Sequence, residues 1–242
     1  MTRERRRGIV RRRRTAIGAI LVAGISFLAG MTDAVGLLHL GSFVSFMSGN
    51  TTQAAVALAR GNLGHAALLL GGLAVFVAGN ALGIIIAHGA TRRTFRVLTA
   101  VTVLLAGAAL LTAQDHAIVQ FYLIILAMGV INTAVEHIEG LPIGLTYVTG
   151  GLSRFGRGLG RMLVGQRHPG WLIQSVPWLG MAIGAVCGAL LEIHFAAASL
   201  WMTCSLSALL AAAAFFIPPR LQRRMAHAHV HVPARKIAQP GM

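Results

Sequence analysis

Apolar residues in this chain gather into six runs, at about 16–38, 65–88, 95–113, 117–138, 171–193 and 197–218, with basic clusters between them. A hydrocarbon core of about 30 Å is crossed by a helix of about 20 apolar residues, and each run is near that length. The rest of the composition agrees. Of 242 residues, 56% are hydrophobic and 11% charged, with a mean hydropathy of +0.73. A water-soluble domain carries roughly 25% charged residues, so this chain lacks the polar surface to cover a soluble globule. The N-terminal run follows a basic stretch, as in a signal peptide. It is too long for an ordinary signal core and ends without a small-residue cleavage site, so the expectation is an uncleaved first helix.

Two shorter segments, 43–60 and 146–163, decide the topology. The second carries Arg154, Arg157 and Arg161 among five glycines. An arginine at mid-bilayer costs about 3 kcal/mol, so this segment is expected at the interface or as a re-entrant turn. If 43–60 alone crossed, the clusters at 92–96, at 154–167 and in the C-terminal tail would all face outward, against the positive-inside bias. If neither crosses, every cluster faces the cytoplasm, Asp115 lies outside, and Arg60 alone is misplaced. Six spans follow, with both termini cytoplasmic. The net charge of +15, from 21 Lys and Arg against 6 Asp and Glu, is then a topology signal. Its expected partners are the lipid bilayer and anionic lipid head groups rather than nucleic acid.

The halves resemble each other. Gly30 precedes Asp33-Ala34-Val35, and Phe46-Met47-Ser48-Gly49-Asn50 follows. About one hundred residues later Gly129 precedes Asn132-Thr133-Ala134, and Tyr147-Val148-Thr149-Gly150-Gly151 follows. Three spans per half is an odd number, so the second copy must be upside down. The expected fold is all-α and polytopic: six transmembrane helices in two inverted three-helix repeats, each with a short re-entrant or interfacial segment. The expected divisions are a basic cytoplasmic arm (1–15), repeat one (16–113), repeat two (114–218) and a disordered cytoplasmic tail (219–242). Glycines four apart, at Gly79 and Gly83 and at Gly180, Gly184 and Gly188, are expected to let helices approach closely.

These motifs carry a family resemblance. Gly30-x-x-Asp33-Ala34, Leu38-x-Leu40-Gly41, Phe43 and Met47-Ser48-Gly49-Asn50-Thr51 resemble the YoaK-like bacterial membrane proteins, a family known mainly as one of unknown function. Ser48 stands where the family usually has threonine. Thr146-Tyr147-Val148-Thr149-Gly150, with Arg154 and Gly156, resembles the family's second motif, with Gly151 in place of a larger residue. The resemblance runs from about Ala16 to Phe216. It implies a multi-spanning inner-membrane protein and supplies no substrate.

Asp33 is the one carboxylate well inside an expected span, and intramembrane acids are functional candidates by default. Asn132 is its uncharged counterpart. Ser48-Gly49-Asn50-Thr51 precedes a helical run at Gln53–Ala59, with Asn50 or Thr51 as its expected N-cap; Thr149-Gly150 is the matching turn. Helix starts of this kind attract anions and carbonyl oxygens, so Asp33, Ser48, Gly49, Asn50, Thr51, Asn132, Thr149 and Gly150 form the expected substrate or ion path. Glu136, His137 and Glu139 read as a solvated helix end, His227, His229 and His231 as a solvated tail, and Cys187 and Cys204 as small apolar fillers. No metal, cofactor or enzymatic signature is expected. The function expected is a transporter or permease for a small polar solute, with a non-transporting membrane scaffold or accessory protein as the alternative.

Overall fold

The computed structural model describes residues 3–111, 113–135, 137–138, 141–142, 148–166 and 171–226. The described chain is helical apart from one antiparallel pair of two-residue strands, β1 (His137–Ile138) and β2 (Leu141–Pro142). The helices are α1 (Arg3–Leu40), α2 (Met47–Ala59), α3 (Leu63–Ala87), α4 (Arg93–Leu110), α5 (Ala113–Ile131), α6 (Val148–Leu163), α7 (Val176–Phe215) and α8 (Pro219–Ala226). Four stretches are long and apolar enough to cross a membrane: Arg13–Leu40, Leu63–Ala87, Arg93–Leu110 and Trp171–Phe215. A fifth apolar helix, Asp115–Ile131, is shorter.

The fourth stretch contains both of the last two expected spans. α7 leaves helical geometry at Phe195 (φ −140°, ψ 40°), between the expected segments 171–193 and 197–218. Its two halves then run in opposite directions. The first lies parallel to α1: a Cβ on Gly180 would sit 2.7 Å from Ala23 O, and Gly184 and Gly188 abut the backbone of Phe27 and Met31. The second turns back, so that Leu210 faces Gly24 on α1, Ser207 meets Thr102 on α4, and Arg92 bonds Phe215 O. α3 and α5 form a second parallel pair. Gly79 approaches Leu126 O, with 2.5 Å to a built Cβ, and Gly83 approaches Thr133. Only hydrogen at these positions lets two backbones come this close in lipid.

Polarity is arranged as a bilayer solvent requires. Ile20, Val77, Ile85, Val103, Val186 and Leu209 are exposed, whereas Ser26, Thr32, Thr94, Gln120, Ser199, Thr203 and Ser207 are buried. The buried hydroxyls of Thr32 and Thr203 bond the carbonyl four residues back, which satisfies them within their own helix.

Several boundaries differ from expectation for local reasons. α5 stops at Ile131 rather than 138, because Thr133 turns its N–H and hydroxyl onto Val130 O in a tight turn. The first residues of the expected disordered tail form α8, held by Gln222, whose amide nitrogen donates to Ala214 O and Ile217 O and whose oxygen accepts from Thr94 N. The basic arm is helical from Arg3, continuous with α1. Glycine-rich α6 forms despite its composition, because Gly151 and Gly158 face Gln174 and Trp171, and Arg154 donates to Gln174 Oε1 at 2.9 Å. The histidines at 227–231, Glu136, Glu139 and Thr146-Tyr147 lie outside the described residues.

Candidate functional site

The site begins where α1 ends. Gly41, at φ +73°, takes a left-handed conformation that favours glycine and turns the chain back. The returning strand is then caught by Asp33, seven residues inside the end of α1 and therefore about 10 Å from it along the axis. Asp33 Oδ1 accepts the N–H of Val44 at 2.8 Å and of Ser45 at 2.9 Å. The descent brings the start of α2 beside Phe76, in the middle of α3. From there α2 leads back toward the end it came from, and Gly61 (φ +75°) closes the turn into α3. A loop that enters and a short helix that leaves on the same side is a re-entrant geometry.

α2 starts at Met47, earlier than the expected Gln53, and neither Asn50 nor Thr51 caps it. Phe46 holds the cap position without a side-chain bond. Thr51 and Thr52 hydroxyls donate to the carbonyls of Met47 and Ser48, four residues back, and Asn50 Nδ2 reaches back to Phe43 O at 2.7 Å. These side chains serve the helix and the loop behind it. In the first turn the N–H of Met47 bonds Ser45 O and that of Asn50 bonds Phe46 O, and no side chain caps the N–H groups of Ser48 and Gly49.

Ahead lies a cavity of about 180 Å³. Its walls are Ser45, Phe46, Met47 and Ser48 from the first re-entrant segment, Phe76 from α3, and Val148, Thr149 and Gly150 from the start of α6. The two motifs that the sequence paired across one hundred residues therefore meet in space, helix start to helix start. The Ser45 hydroxyl is buried and lies near Asp33, yet forms no hydrogen bond of normal geometry. Asn50 Oδ1 is buried and unpaired as well. Of these two residues only Ser45 lines the cavity, and a buried unpaired hydroxyl at such a wall calls for water or a polar solute.

Three of the eight expected residues, Ser48, Thr149 and Gly150, line this cavity. Gly49 packs its backbone under the Phe46 and Phe43 rings, and Asn50 is buried behind them. Thr51 is exposed on α2. Asp33 stands behind the loop, its Oδ1 turned to the backbone, and Asn132 Nδ2 donates to Met128 O on its own helix. Neither lines the cavity.

One polar cluster was not anticipated. Glu192, buried just before the α7 kink, bridges His39 Nδ1 (2.9 Å) at the end of α1 and the hydroxyl of Ser199 beyond the kink. The signal was present: in a chain with six acids, a glutamate in Leu190-Leu191-Glu192-Ile193 is out of place unless a partner awaits it. Among the described residues, no group of three His, Cys, Asp or Glu side chains could hold a metal ion.

A family model described as "Protein of unknown function (DUF1275)" matches residues 21–213. The chain is also 54% identical over 224 residues to the UPF0700 transmembrane protein RA0705 of Rhizobium meliloti (strain 1021), a match covering 93% of this chain and 98% of that protein. No solved structure matches. The YoaK-like resemblance of the motifs agrees with both findings.

Proposed function

Because the chain belongs to the DUF1275 family of membrane proteins, whose described function is open, we propose that it is an inner-membrane permease for a small polar solute. The path runs through the cavity between the starts of α2 and α6. The observation that carries this reading is the meeting of the starts of α2 and α6 in one partly polar space. Helix starts present N–H groups and the positive end of the helix dipole, and discontinuous segments of this kind build the sites of many transporters. At about 180 Å³ the cavity is smaller than the roughly 300–1,000 Å³ of pockets for drug-sized ligands, so the solute is small.

The proposal includes six spans in two inverted repeats. A 40-residue α7 would be about 60 Å long if straight, twice the hydrocarbon core, so each half is counted as one crossing. Directions then alternate through α1, α3, α4, α5 and the two halves of α7. The parallel pairs support the repeat: α1 against the first half of α7 corresponds to α5 against α3. In both, a glycine row packs on a helix that offers its own glycine at the contact, Gly30 against Met181 O and Gly129 against Phe76 O. In this topology Arg92, Arg154 and Arg220 fall on the side of the basic arm, and Asp115 and Glu192 on the other, a distribution that supports cytoplasmic termini. No catalytic step is assigned to the protein.

The test is reconstitution into liposomes and measurement of the entry of small neutral and charged polar solutes, by shrinkage and recovery of scattered light. Entry faster than in empty liposomes, blocked by Thr149→Trp in a folded protein, is expected. Vesicles no more permeable than empty ones to any solute would leave the scaffold reading, which the tight bonding of Asp33 and Asn50 favours.

A further inference from the structure

Helices α3 and α4 are consecutive, joined by the short turn at residues 88–92. Between them opens a cleft of about 480 Å³, walled by Leu82 and Ile86 of α3 and by Phe95, Arg96, Thr99 and Val103 of α4. The cleft belongs to the outer surface of the bundle and is separate from the cavity at α2 and α6. We propose that it binds one anionic phospholipid taken from the surrounding membrane, with the phosphate on Arg96 and one acyl chain along the apolar walls.

Three features of the cleft point to this occupant. The first is its shape and lining. An apolar gap between helices left empty forfeits dispersion contacts on both walls, and in a bilayer the flexible molecule at hand is an acyl chain. From Arg96 the cleft follows α4 to Leu104, eight residues or about 12 Å. That is most of one leaflet's share, about 15 Å, of the hydrocarbon core.

The second feature is charge. Arg96 lies one turn inside the start of α4, at the depth where head groups meet the core. It is exposed, and among the described residues it has no hydrogen-bond or ion-pair partner. Its neighbour Arg92 is already committed, donating to Phe215 O at 2.8 Å with its guanidinium 3.8 Å from the Phe215 ring. A free guanidinium presents a fork of N–H donors that matches two phosphate oxygens.

The third feature is what the walls withhold. The Thr99 hydroxyl is bonded to Phe95 O at 2.9 Å, and Phe95 is held edge-on against Phe215, ring centres 5.2 Å apart. Among the described residues of the lining, Arg96 is the one charged group. Selection for an anionic over a zwitterionic lipid therefore rests on one residue. The proposal needs neither transport nor a particular orientation; in the orientation proposed above, the lipid belongs to the cytoplasmic leaflet.

The experiment is native mass spectrometry of the full chain, purified in detergent and mixed with phosphatidylglycerol or with phosphatidylcholine of the same acyl chains. One phosphatidylglycerol should be retained in preference. Arg96→Gln should lower that retention about tenfold, toward the phosphatidylcholine level, as expected for losing a charge-assisted contact. Arg157→Gln, an equal charge loss on exposed α6, should leave it unchanged. Val103→Trp, on an already exposed wall position, should fill the cleft and reduce retention of both lipids while Arg96 remains. Inorganic phosphate should not displace the bound lipid. Equal retention of the two lipids by the wild type, equal loss in Arg96→Gln and Arg157→Gln, unchanged retention in Val103→Trp, or displacement by phosphate would each overturn the site.

Discussion

Replacing Asp33 tests whether this acid holds the re-entrant loop or acts on the solute. Asp33→Ala leaves the N–H groups of Val44 and Ser45, bonded at 2.8 and 2.9 Å, without their acceptor in a buried position. A hydrogen bond to a charged group contributes about 1.5–3 kcal/mol, so the two together amount to about 3–6 kcal/mol. Removing a buried carboxylate also removes its desolvation cost, which offsets part of the loss, and the net expectation is about 3 kcal/mol. For a chain of this size that is a drop in Tm of about 6–12 °C. Asp33→Asn keeps an oxygen for both donors and should cost about 1 kcal/mol. The assay is thermal unfolding of purified protein in detergent, paired with thiol labelling of Ser48→Cys in a background lacking Cys187 and Cys204. Asp33→Ala should also speed labelling as the loop is released. An Asp33→Ala protein that melts within about 2 °C of wild type would refute the anchoring argument. An Asp33→Asn protein that is stable but loses solute entry would show that the charge itself is used.

Gly184 abuts Phe27 O, so Gly184→Leu should separate α1 from α7 and lower Tm by several degrees, whereas Gly107→Ala, where a Cβ meets open space, should be neutral or slightly stabilising, both read by thermal unfolding. Cysteines at Arg93 and Arg157 should be shielded from an impermeant thiol reagent in intact cells, and one at Asp115 should react; labelling at 93 without labelling at 115 would invert the topology. Glu192→Ala should cost about 2–4 kcal/mol of detergent stability by leaving the Ser199 hydroxyl and His39 without their shared acceptor, while Glu192→Gln should recover about half of it.

How far the sequence was legible depended on the physical range of each signal. Apolar length and charge placement are properties of the solvent around the chain, and they located the membrane helices and the break in α7 near 194–196. Glycine spacing was equally direct, because the need for close approach leaves no other residue at Gly180, Gly184 and Gly188. The two motifs were legible as a pair, but the cavity they line was not. Residues 45–48 and 148–150 are a hundred positions apart, and they come together, beside Phe76 of α3, only in the folded chain. The roles of Asn50 and Thr51 were misread for the opposite reason. A local cap rule was applied where the side chains had nearer partners, the i−4 carbonyl for Thr51 and the loop carbonyl of Phe43 for Asn50.

Asp33 and Glu192 show how a chain with few acids uses those it buries. Both lie toward the end of the bundle opposite the basic arm, and both bridge elements that backbone hydrogen bonding alone leaves open. Asp33 spans α1 and the entering loop; Glu192 spans α1, through His39, and the far side of the α7 break. Each interruption of regular helix in lipid exposes polar backbone that water cannot reach, so each needs a polar side chain to complete it. On the basic side, among the described residues, amide and guanidinium groups meet this need: Gln222 completes the start of α4 and the end of α7, and Arg92 caps Phe215 O. Asp33 and Glu192 thus mark two departures from helix on the side opposite the basic arm. The cavity beside the first of them is bounded by Ser45, Ser48 and Thr149, by the apolar side chains of Phe46, Met47, Phe76 and Val148, and by Gly150. That lining carries no full charge of its own, which favours a solute recognised by hydrogen bonding over one captured by an ion pair.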